Sequence, residues 1–272
     1  MKLRHFIANL PLIGRWIYPT LNKKALFTKP GKYFPFAYNS SIHQFPNPKV
    51  LVFGLPKSGN TWMVSLLSNC LDMDSIHVDR QKNKSGVCMS HEPLSYKMKL
   101  RKDFVRGVYI MRDLRDVIVS YFHYVKTNYY KELNDPYVAE TTIESFYRNY
   151  FQSKLIYRYD WLNHAEDYAK HGIPVIRYED LFDNPTDELT RLFTKMGVSV
   201  QIDKINSAIE ENDITKLKLT GKNIGKEIPS THFRKGGYGN YKSEMTESLI
   251  DRINRDFGKY LSRWGYEIHE NY

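Results

Sequence analysis

Cysteine and long apolar runs are scarce in this chain of 272 residues. Its two cysteines, Cys70 and Cys88, both lie in apolar patterns, which favours buried thiols in a reducing compartment over a disulfide or a cysteine-ligated metal site. No stretch approaches the roughly 18 apolar residues of a membrane-spanning helix, so no transmembrane segment is predicted. Internal repeats and low-complexity tracts are also missing, which argues against a repeat architecture.

The N-terminus lacks the small-residue cleavage site of a secretory signal peptide. Its most apolar part, residues 6–21, is interrupted by two prolines, a glycine and an arginine. We expect residues 1–45 to form an arm and irregular lead-in packed on a main domain at 46–272. A segment that covers the substrate or touches a membrane is the alternative.

Acidic residues are outnumbered, because 40 Lys and Arg face 30 Asp and Glu and give a net charge of +10. This excess indicates an anionic ligand, a nucleic acid or an acidic surface, although a generally basic soluble protein has the same balance. Apolar residues at 42% and aromatics at 14% are too abundant for a disordered chain. The length suits one α/β domain with a substantial core.

Short apolar runs typical of strands alternate with amphipathic patterns typical of helices. Strands are predicted at 50–53, 86–91, 108–111 and 174–177, and helices at 113–129, 142–170, 185–196, 202–211 and 246–260. This alternation predicts a single α/β domain with a central parallel sheet flanked by helices. Such sheets bind ligands at the carboxyl ends of their strands, so the functional residues are expected on that rim.

Residues 50–62 combine an apolar strand, a turn rich in Gly, Pro and Ser, and the start of a helix with Trp62 and further apolar residues on one face. This geometry collects free backbone N–H groups and points a helix dipole at an anion. Four polar residues of the turn, Lys57, Ser58, Asn60 and Thr61, surround Gly59. The segment predicts a phosphate-binding loop, which differs from that of nucleotide kinases because Asn60 stands where their motif has Lys.

A cation follows the predicted strand at 108–111, on the rim where a ligand is expected. A P-loop ATPase usually has an acidic residue at such a strand end to hold Mg²⁺. Arg112 instead favours an anion bound without a metal. Ser120 follows about two turns into the next helix, off its apolar stripe. A salt bridge of Arg112 to Asp113 or Asp116, and a solvated Ser120, are the alternatives.

Residues 233–242 place two adjacent cations, Arg234 and Lys235, before a turn with three glycines that begins at Gly236. Glycine lets the backbone approach a ligand closely, so this basic turn is a candidate second phosphate site. A mobile surface loop is the alternative.

With these features in view, the chain resembles the soluble, cytosolic type of sulfotransferase, which uses 3′-phosphoadenosine 5′-phosphosulfate (PAPS). The loop at 55–62 resembles that family's 5′-phosphosulfate loop, and Arg112 and Ser120 match its 3′-phosphate pair. Other matches are Arg234, Lys235 and Gly236 to an Arg-Lys-Gly motif, Tyr178 to a Tyr that reaches the adenine, Trp62 to a Trp that stacks on it, and the stretch 161–164.

The resemblance implies a P-loop-NTPase-like fold and a cytoplasmic enzyme that moves a sulfuryl group from PAPS to a hydroxyl or amine of a small-molecule acceptor. It implies no metal and no nucleic acid, with adenosine 3′,5′-bisphosphate (PAP) as the product. Lys57 would stabilise charge on the 5′-phosphate side, and Ser120 would bind the 3′-phosphate and restrain Lys57. His91 would be the general base of an in-line transfer.

Two departures from the family pattern stand out. The family usually has Lys-Thr-His where this chain has Met89, Ser90 and His91, so one cation near the transferring group is missing or comes from elsewhere. The C-terminal dimerisation motif is matched by Lys242, Thr246 and Asp251, but Glu247 replaces its Val, which leaves a monomer or weak homodimer as the expectation. A nucleotide kinase or NTPase, and a non-enzymatic polyanion-binding module, are the other classes considered.

Overall fold

The computed structural model describes residues 47–76, 84–91, 93–94, 106–127, 139–156, 161–213, 216, 222–223, 226–227 and 236–268. The predicted N-terminal arm at 1–45 lies outside the described residues, and so do Arg234 and Lys235.

A central sheet of four parallel strands organises the described part of the chain: β1 (Lys49–Phe53), β2 (Gly86–Ser90), β3 (Arg106–Met111) and β4 (Val175–Arg177). Their order across the sheet is β2-β1-β3-β4. β1 is buried along its whole length, as expected of a central parallel strand with both faces covered. All four predicted strands are confirmed. β3 begins at Arg106, two residues earlier than predicted. Arg106 is fully buried, but its charge interrupts the apolar pattern from which the strand was predicted.

Helices surround this sheet: α1 (Asn60–Leu71), α2 (Leu114–Val125), α3 (Ile143–Phe146), α4 (His164–Lys170), α5 (Tyr178–Asp183), α6 (Pro185–Met196), α7 (Ile202–Glu211), α8 (Tyr241–Glu244) and α9 (Glu247–Arg263). A π-helix at Tyr147–Leu155 continues α3, and a short antiparallel hairpin joins β5 (Lys222–Asn223) to β6 (Lys226–Glu227).

Most helix predictions are confirmed. α6 and α7 have the predicted bounds, since Pro185 starts α6 and the left-handed Gly197 ends it. The helical region at 142–170 is divided into α3, the π-helix and α4, and α2 ends at Val125, before the predicted 129. The short helices α5 and α8 and the hairpin were not predicted, because four to six residues carry too little periodicity.

Alternate residues of the central strands point to opposite faces of the sheet, and each face carries its own core. Leu51, Phe53 and Tyr109 pack with residues of α2, the π-helix, α4 and α9, whereas Val52 and Val108 pack with residues of α1, α6 and α7. The result is a three-layered single α/β domain, which confirms the predicted fold class.

Helix α1 is buried on more than the predicted apolar face, since Ser65 and Ser68 are buried as well. It lies between the sheet and α7, so the expectation of one buried face was too narrow. Cys70 and Cys88 are buried free thiols, which confirms their predicted burial.

Candidate active site

A cavity of about 320 Å³ opens at the carboxyl ends of β1, β2 and β3. Most of the predicted site residues line it: Lys57, Gly59, Asn60, Thr61, Trp62, His91, Arg112, Ser120, Tyr178 and Gly236. Ser58 is buried in the same loop but is not part of the cavity wall. Segments far apart in the sequence thus meet on one rim, as a parallel sheet requires of its strand ends.

The N-terminus of α1 faces this cavity without a side-chain cap. Gly59 precedes the helix with φ of 99°, and a Cβ at this position would stand 2.6 Å from the Tyr178 ring. Only glycine therefore suits the turn. The uncapped N–H groups and the helix dipole make this end a favourable place for an anion.

Asn60 stands where nucleotide kinases have lysine, and its side chain spans the loop. Its side-chain amide donates to the Leu55 carbonyl oxygen at 2.8 Å and thereby braces the turn. Asn60 also lines the cavity, so its predicted place among the donors to a ligand stays a prediction. The loop's cation is Lys57 alone.

Lys57 has a strained backbone and a disfavoured charge. Its φ of 71° lies in the left-handed region, which costs about 1–3 kcal/mol for a residue other than glycine. Its ammonium lies 4.2 Å from the centre of the Tyr124 ring. Burial, and to a lesser extent the positive charge of Arg112, lowers the pKa of Lys57 to about 8. An anion bound beside it would favour the charged form again.

Tyr124 was not predicted as a partner of Lys57. Both Tyr124 and Ser120 line the cavity, one helical turn apart on α2. The spacing of four residues is the signal that could have found it, because residues i and i+4 share a helix face. The predicted restraint of Lys57 by Ser120 stays a prediction.

Arg112 combines a cavity position with the salt bridge that the sequence offered as an alternative. It donates to the Gly237 carbonyl oxygen at 2.8 Å and lies 3.7 Å from the Asp116 carboxylate. The guanidinium carbon is 4.5 Å from the centre of the Tyr178 ring. Its buried Nε has no hydrogen-bond partner among the described residues. A buried donor of this kind fits a site for an anionic ligand.

Asp116 ties the glycine turn to α2. Its carboxylate accepts from the backbone N–H of Gly239 at 2.5 Å and of Tyr241 at 3.1 Å. Burial raises the pKa of Asp116, and Arg112 together with these two N–H groups opposes the rise. The part of the turn from Gly236 onward is thereby anchored at the cavity, which argues against the mobile surface loop. Asp116 appeared in the sequence only as a salt-bridge partner.

Aromatic rings form one wall of the cavity. The Trp62 and Tyr178 rings meet edge to face with centroids 5.5 Å apart, and Phe182 lies 6.3 Å from Trp62. The Trp62 indole N–H donates to the Asn212 carbonyl oxygen at 3.0 Å, which fixes the ring. Such a wall suits a flat, apolar ring system. Phe182 packs against Trp62 but does not line the cavity.

His91 follows β2, and its ring binds the phosphate-binding loop. The Nδ1 atom is 2.8 Å from the Gly54 carbonyl oxygen. A carbonyl only accepts, so Nδ1 carries a proton, and the neutral ring has its lone pair on Nε2. Met89 lines the same cavity with 37% of its surface exposed, so a thioether stands where the cytosolic sulfotransferases usually have lysine.

The residues of the predicted dimerisation motif lie at the junction of α8 and α9. Thr246 caps α9 by accepting from the Leu249 N–H, and Lys242 and Glu247 are exposed. The expectation of a monomer or weak homodimer stays a prediction.

The described residues offer neither a metal site nor a membrane span. Among them, no three His, Cys, Asp or Glu side chains are grouped so as to hold a metal ion. None of the helices in this part of the chain is long and apolar enough to cross a membrane.

The fold and the rim define an α/β domain with an anion site at a strand–loop–helix junction. Residues 80–265, more than half of the chain, match the family described as the sulfotransferase domain. The chain therefore belongs to the sulfotransferase family, whose members move a sulfuryl group from PAPS to an acceptor. This confirms the predicted family and enzyme class over the kinase and the non-enzymatic module. The match begins after the phosphate-binding loop.

Curated relatives and solved structures agree with this assignment. Sulfotransferase 1A1 of Rattus norvegicus is 24% identical, over 78% of this chain and 84% of the relative. Cytosolic sulfotransferase 13 of Arabidopsis thaliana is 21% identical, over 89% and 82%. The crystal structure of mouse sulfotransferase SULT7A1 complexed with PAP has a TM-score of 0.60 and 18% identity, with 79% of this chain and 83% of that chain covered. This likeness confirms the fold.

Proposed function

We propose that this protein transfers a sulfuryl group from PAPS to a hydroxyl or amine of a small-molecule acceptor, in line and with His91 as general base. The observation that carries the proposal is the convergence of Lys57, Arg112 and His91 on one cavity beside the uncapped N-terminus of α1. We assign the activity to a domain at 46–272, since the loop and the start of α1, which precede the family match, supply Lys57 and the helix N-terminus to this site.

The donor site would divide along the cavity. The N-terminus of α1 and Lys57 suit the 5′-phosphosulfate, and Arg112 and Ser120 suit the 3′-phosphate. Arg234 and Lys235 join them by resemblance, next to the anchored Gly236. The wall of Trp62 and Tyr178 suits the adenine. The relative complexed with PAP supports this choice of donor.

PAPS supplies an activated sulfuryl group on a phosphate leaving group. The Lys57 ammonium offers positive charge where negative charge develops as the bond to that phosphate breaks. A sulfuryl group carries less charge than a phosphoryl group, so side-chain cations and backbone N–H groups are sufficient for this stabilisation. Nε2 of His91 receives the proton of the attacking hydroxyl or amine.

The acceptor side of the cavity is more apolar than the family pattern implies. Met89 replaces a lysine, and the Tyr124 ring lies beside Lys57. These side chains favour a flat or hydrophobic small molecule with one hydroxyl or amine. A glycan, which needs many polar partners, is a poorer fit.

A ligand panel tests the donor. PAP is expected to raise the melting temperature progressively with its concentration. At 100 times Kd it should add about 2.7 kcal/mol to the free energy of unfolding, and ATP with Mg²⁺ should add far less. Incubation with PAPS and a set of phenols, aliphatic alcohols and amines should give sulfated products by mass spectrometry. Stronger stabilisation and turnover of ATP–Mg²⁺ would overturn the proposal.

The 3′-phosphate should dominate nucleotide affinity. A charge-assisted hydrogen bond to a phosphate is worth about 1.5–3 kcal/mol, so PAP should bind at least about tenfold more tightly than adenosine 5′-phosphate by calorimetry. Arg112→Ala should reduce this preference. Lys195→Ala, which removes an exposed cation from α6, should leave it intact. Equal affinities for the two nucleotides in the unmodified protein would contradict the assignment of Arg112 and Ser120.

Nucleotide affinity should also fall at alkaline pH. The pKa of Lys57 is about 8 before ligand binding, and a bound anion raises it. Below pH 8 the lysine is already charged and affinity is flat. Above pH 8 binding must take up a proton, so Kd for PAP should rise by up to about tenfold per pH unit until the raised pKa is passed.

Calorimetry in two buffers of different ionisation enthalpy measures this proton uptake directly. In Lys57→Arg the cation stays charged at every pH tested, so both the uptake and the loss of affinity should disappear. If both persist in the arginine variant, another group is responsible.

A further inference from the structure

We infer that His164 and Tyr109 are positioning residues for His91. They hold its backbone, while its ring bonds to Gly54 just before the phosphate-binding loop, so that one continuous series of hydrogen bonds lies beneath the cavity. The inference rests on the proposed role of His91 as general base. It assigns a catalytic task to two buried side chains that the sequence gives no reason to connect, one on β3 and one on α4.

Each contact in the series joins two elements of the site. The Tyr109 hydroxyl lies 2.9 Å from Nδ1 of His164, and Nε2 of His164 lies 3.2 Å from the His91 carbonyl oxygen. Nδ1 of His91 lies 2.8 Å from the Gly54 carbonyl oxygen. The series therefore runs from Tyr109 on β3 through His164 on α4 to the His91 backbone, and from the His91 ring to Gly54 at the end of β1.

The direction of every proton follows from the carbonyl groups. The carbonyl oxygens of Gly54 and His91 only accept, so His91 donates from Nδ1 and His164 donates from Nε2. The Nδ1 atom of neutral His164 then accepts from the Tyr109 hydroxyl. Burial holds the pKa of Tyr109 well above its usual range, so this hydroxyl keeps its proton. No donor in the series faces another donor.

Burial makes the arrangement rigid. Tyr109 and His164 have 0% and 1% of their surface exposed, and their rings pack against Tyr168 with centroids 5.4 Å away in both cases. A buried histidine with a purely structural role could hydrogen-bond to any nearby backbone group. These bonds tie the His91 backbone to β3 through His164, and the His91 ring to Gly54 just before the loop that carries Lys57, so they help to set the distance between the base and that loop. An error of about 1 Å in such a distance can cost about 10² in rate.

Tyr109→Phe tests the inference because it removes one hydroxyl and keeps the ring. We expect kcat with PAPS and 2-naphthol to fall about tenfold, with Kd for PAP unchanged within twofold. Tyr147→Phe is the matched control, since it removes the hydroxyl of another fully buried ring, which donates to Asp256 and does not line the cavity, and it should leave kcat unchanged.

Histidine ring ¹⁵N spectra provide a readout that needs no turnover. In the unmodified protein His91, identified by the signals that His91→Asn removes, should show the tautomer with the proton on Nδ1. In Tyr109→Phe these signals should move towards a mixture of tautomers. The amide nitrogen of glutamine mimics Nε2 and that of asparagine mimics Nδ1, so His164→Gln should retain more activity than His164→Asn.

The outcomes separate this inference from the proposed function. An unchanged rate or unchanged His91 signals in Tyr109→Phe would overturn the positioning role, and so would equal losses of rate and PAP affinity, which indicate a merely structural residue. Absence of sulfuryl transfer in the unmodified protein would instead overturn the proposed function. The tautomer measurement then still tests the hydrogen-bond series by itself.

Discussion

Lys57→Ala is expected to lower kcat for sulfuryl transfer by about 10²–10³, the loss that follows removal of one transition-state donor in comparable sites. The melting temperature should stay the same or rise. Burial lowers the pKa of Lys57 to about 8, so the charged ammonium is less favourable in the folded chain than in water. Removal of this disfavoured charge should therefore not destabilise the folded chain, whereas the transition state of the reaction loses its stabilisation.

Two further variants isolate this effect. Lys57→Arg keeps a positive charge but not the compact ammonium, so its kcat should lie between those of the alanine variant and the unmodified protein. Lys195→Ala removes the same charge from the exposed face of α6 and should leave kcat unchanged. Near-normal turnover by Lys57→Ala with a validated acceptor would contradict the role of Lys57 in stabilising the transition state. A large fall in its melting temperature would show that the lysine supports the fold instead.

The fold was predictable because its signals are local. The strand at 50–53 is continuously apolar, and β1 proves to be buried on both faces. Pro185 and Gly197 mark the ends of α6 in the sequence as they do in the structure. The rim position of Lys57, His91 and Arg112 follows from the parallel sheet, because each of them comes directly after or soon after a strand.

The contacts that tune the site were not predictable in the same way. Tyr124 beneath the Lys57 ammonium and the Gly239 N–H on Asp116 depend on elements that approach each other only in the folded chain. The hydrogen bond from the Asn60 side chain to the Leu55 carbonyl oxygen depends on the folded shape of the loop. Phe182 belongs to a helix of six residues, too short for a periodic pattern. The sequence thus identifies the residues that converge on the rim, but their contacts with neighbouring side chains are set by the packing of the folded chain.

His91→Asn is expected to lower kcat by about 10²–10⁴ while Kd for PAP stays unchanged, because the base contacts the acceptor and not the donor. Asparagine suits this test because its amide nitrogen reproduces the donor to the Gly54 carbonyl oxygen, so the loop keeps its geometry. The loss should be smaller for a nitrophenol that is already ionised at the assay pH than for 2-naphthol, since no proton then needs to be removed.

Comparison of these two acceptors distinguishes a base from a residue that shapes the cavity. A misplaced loop would slow both acceptors equally and would weaken PAP binding, whereas loss of a base slows only the acceptor that still holds its proton. If rate and binding fall together, His91 is structural. If the rate does not change, another group takes the proton, and Glu92, the adjacent residue in the sequence, is the first to test by Glu92→Gln.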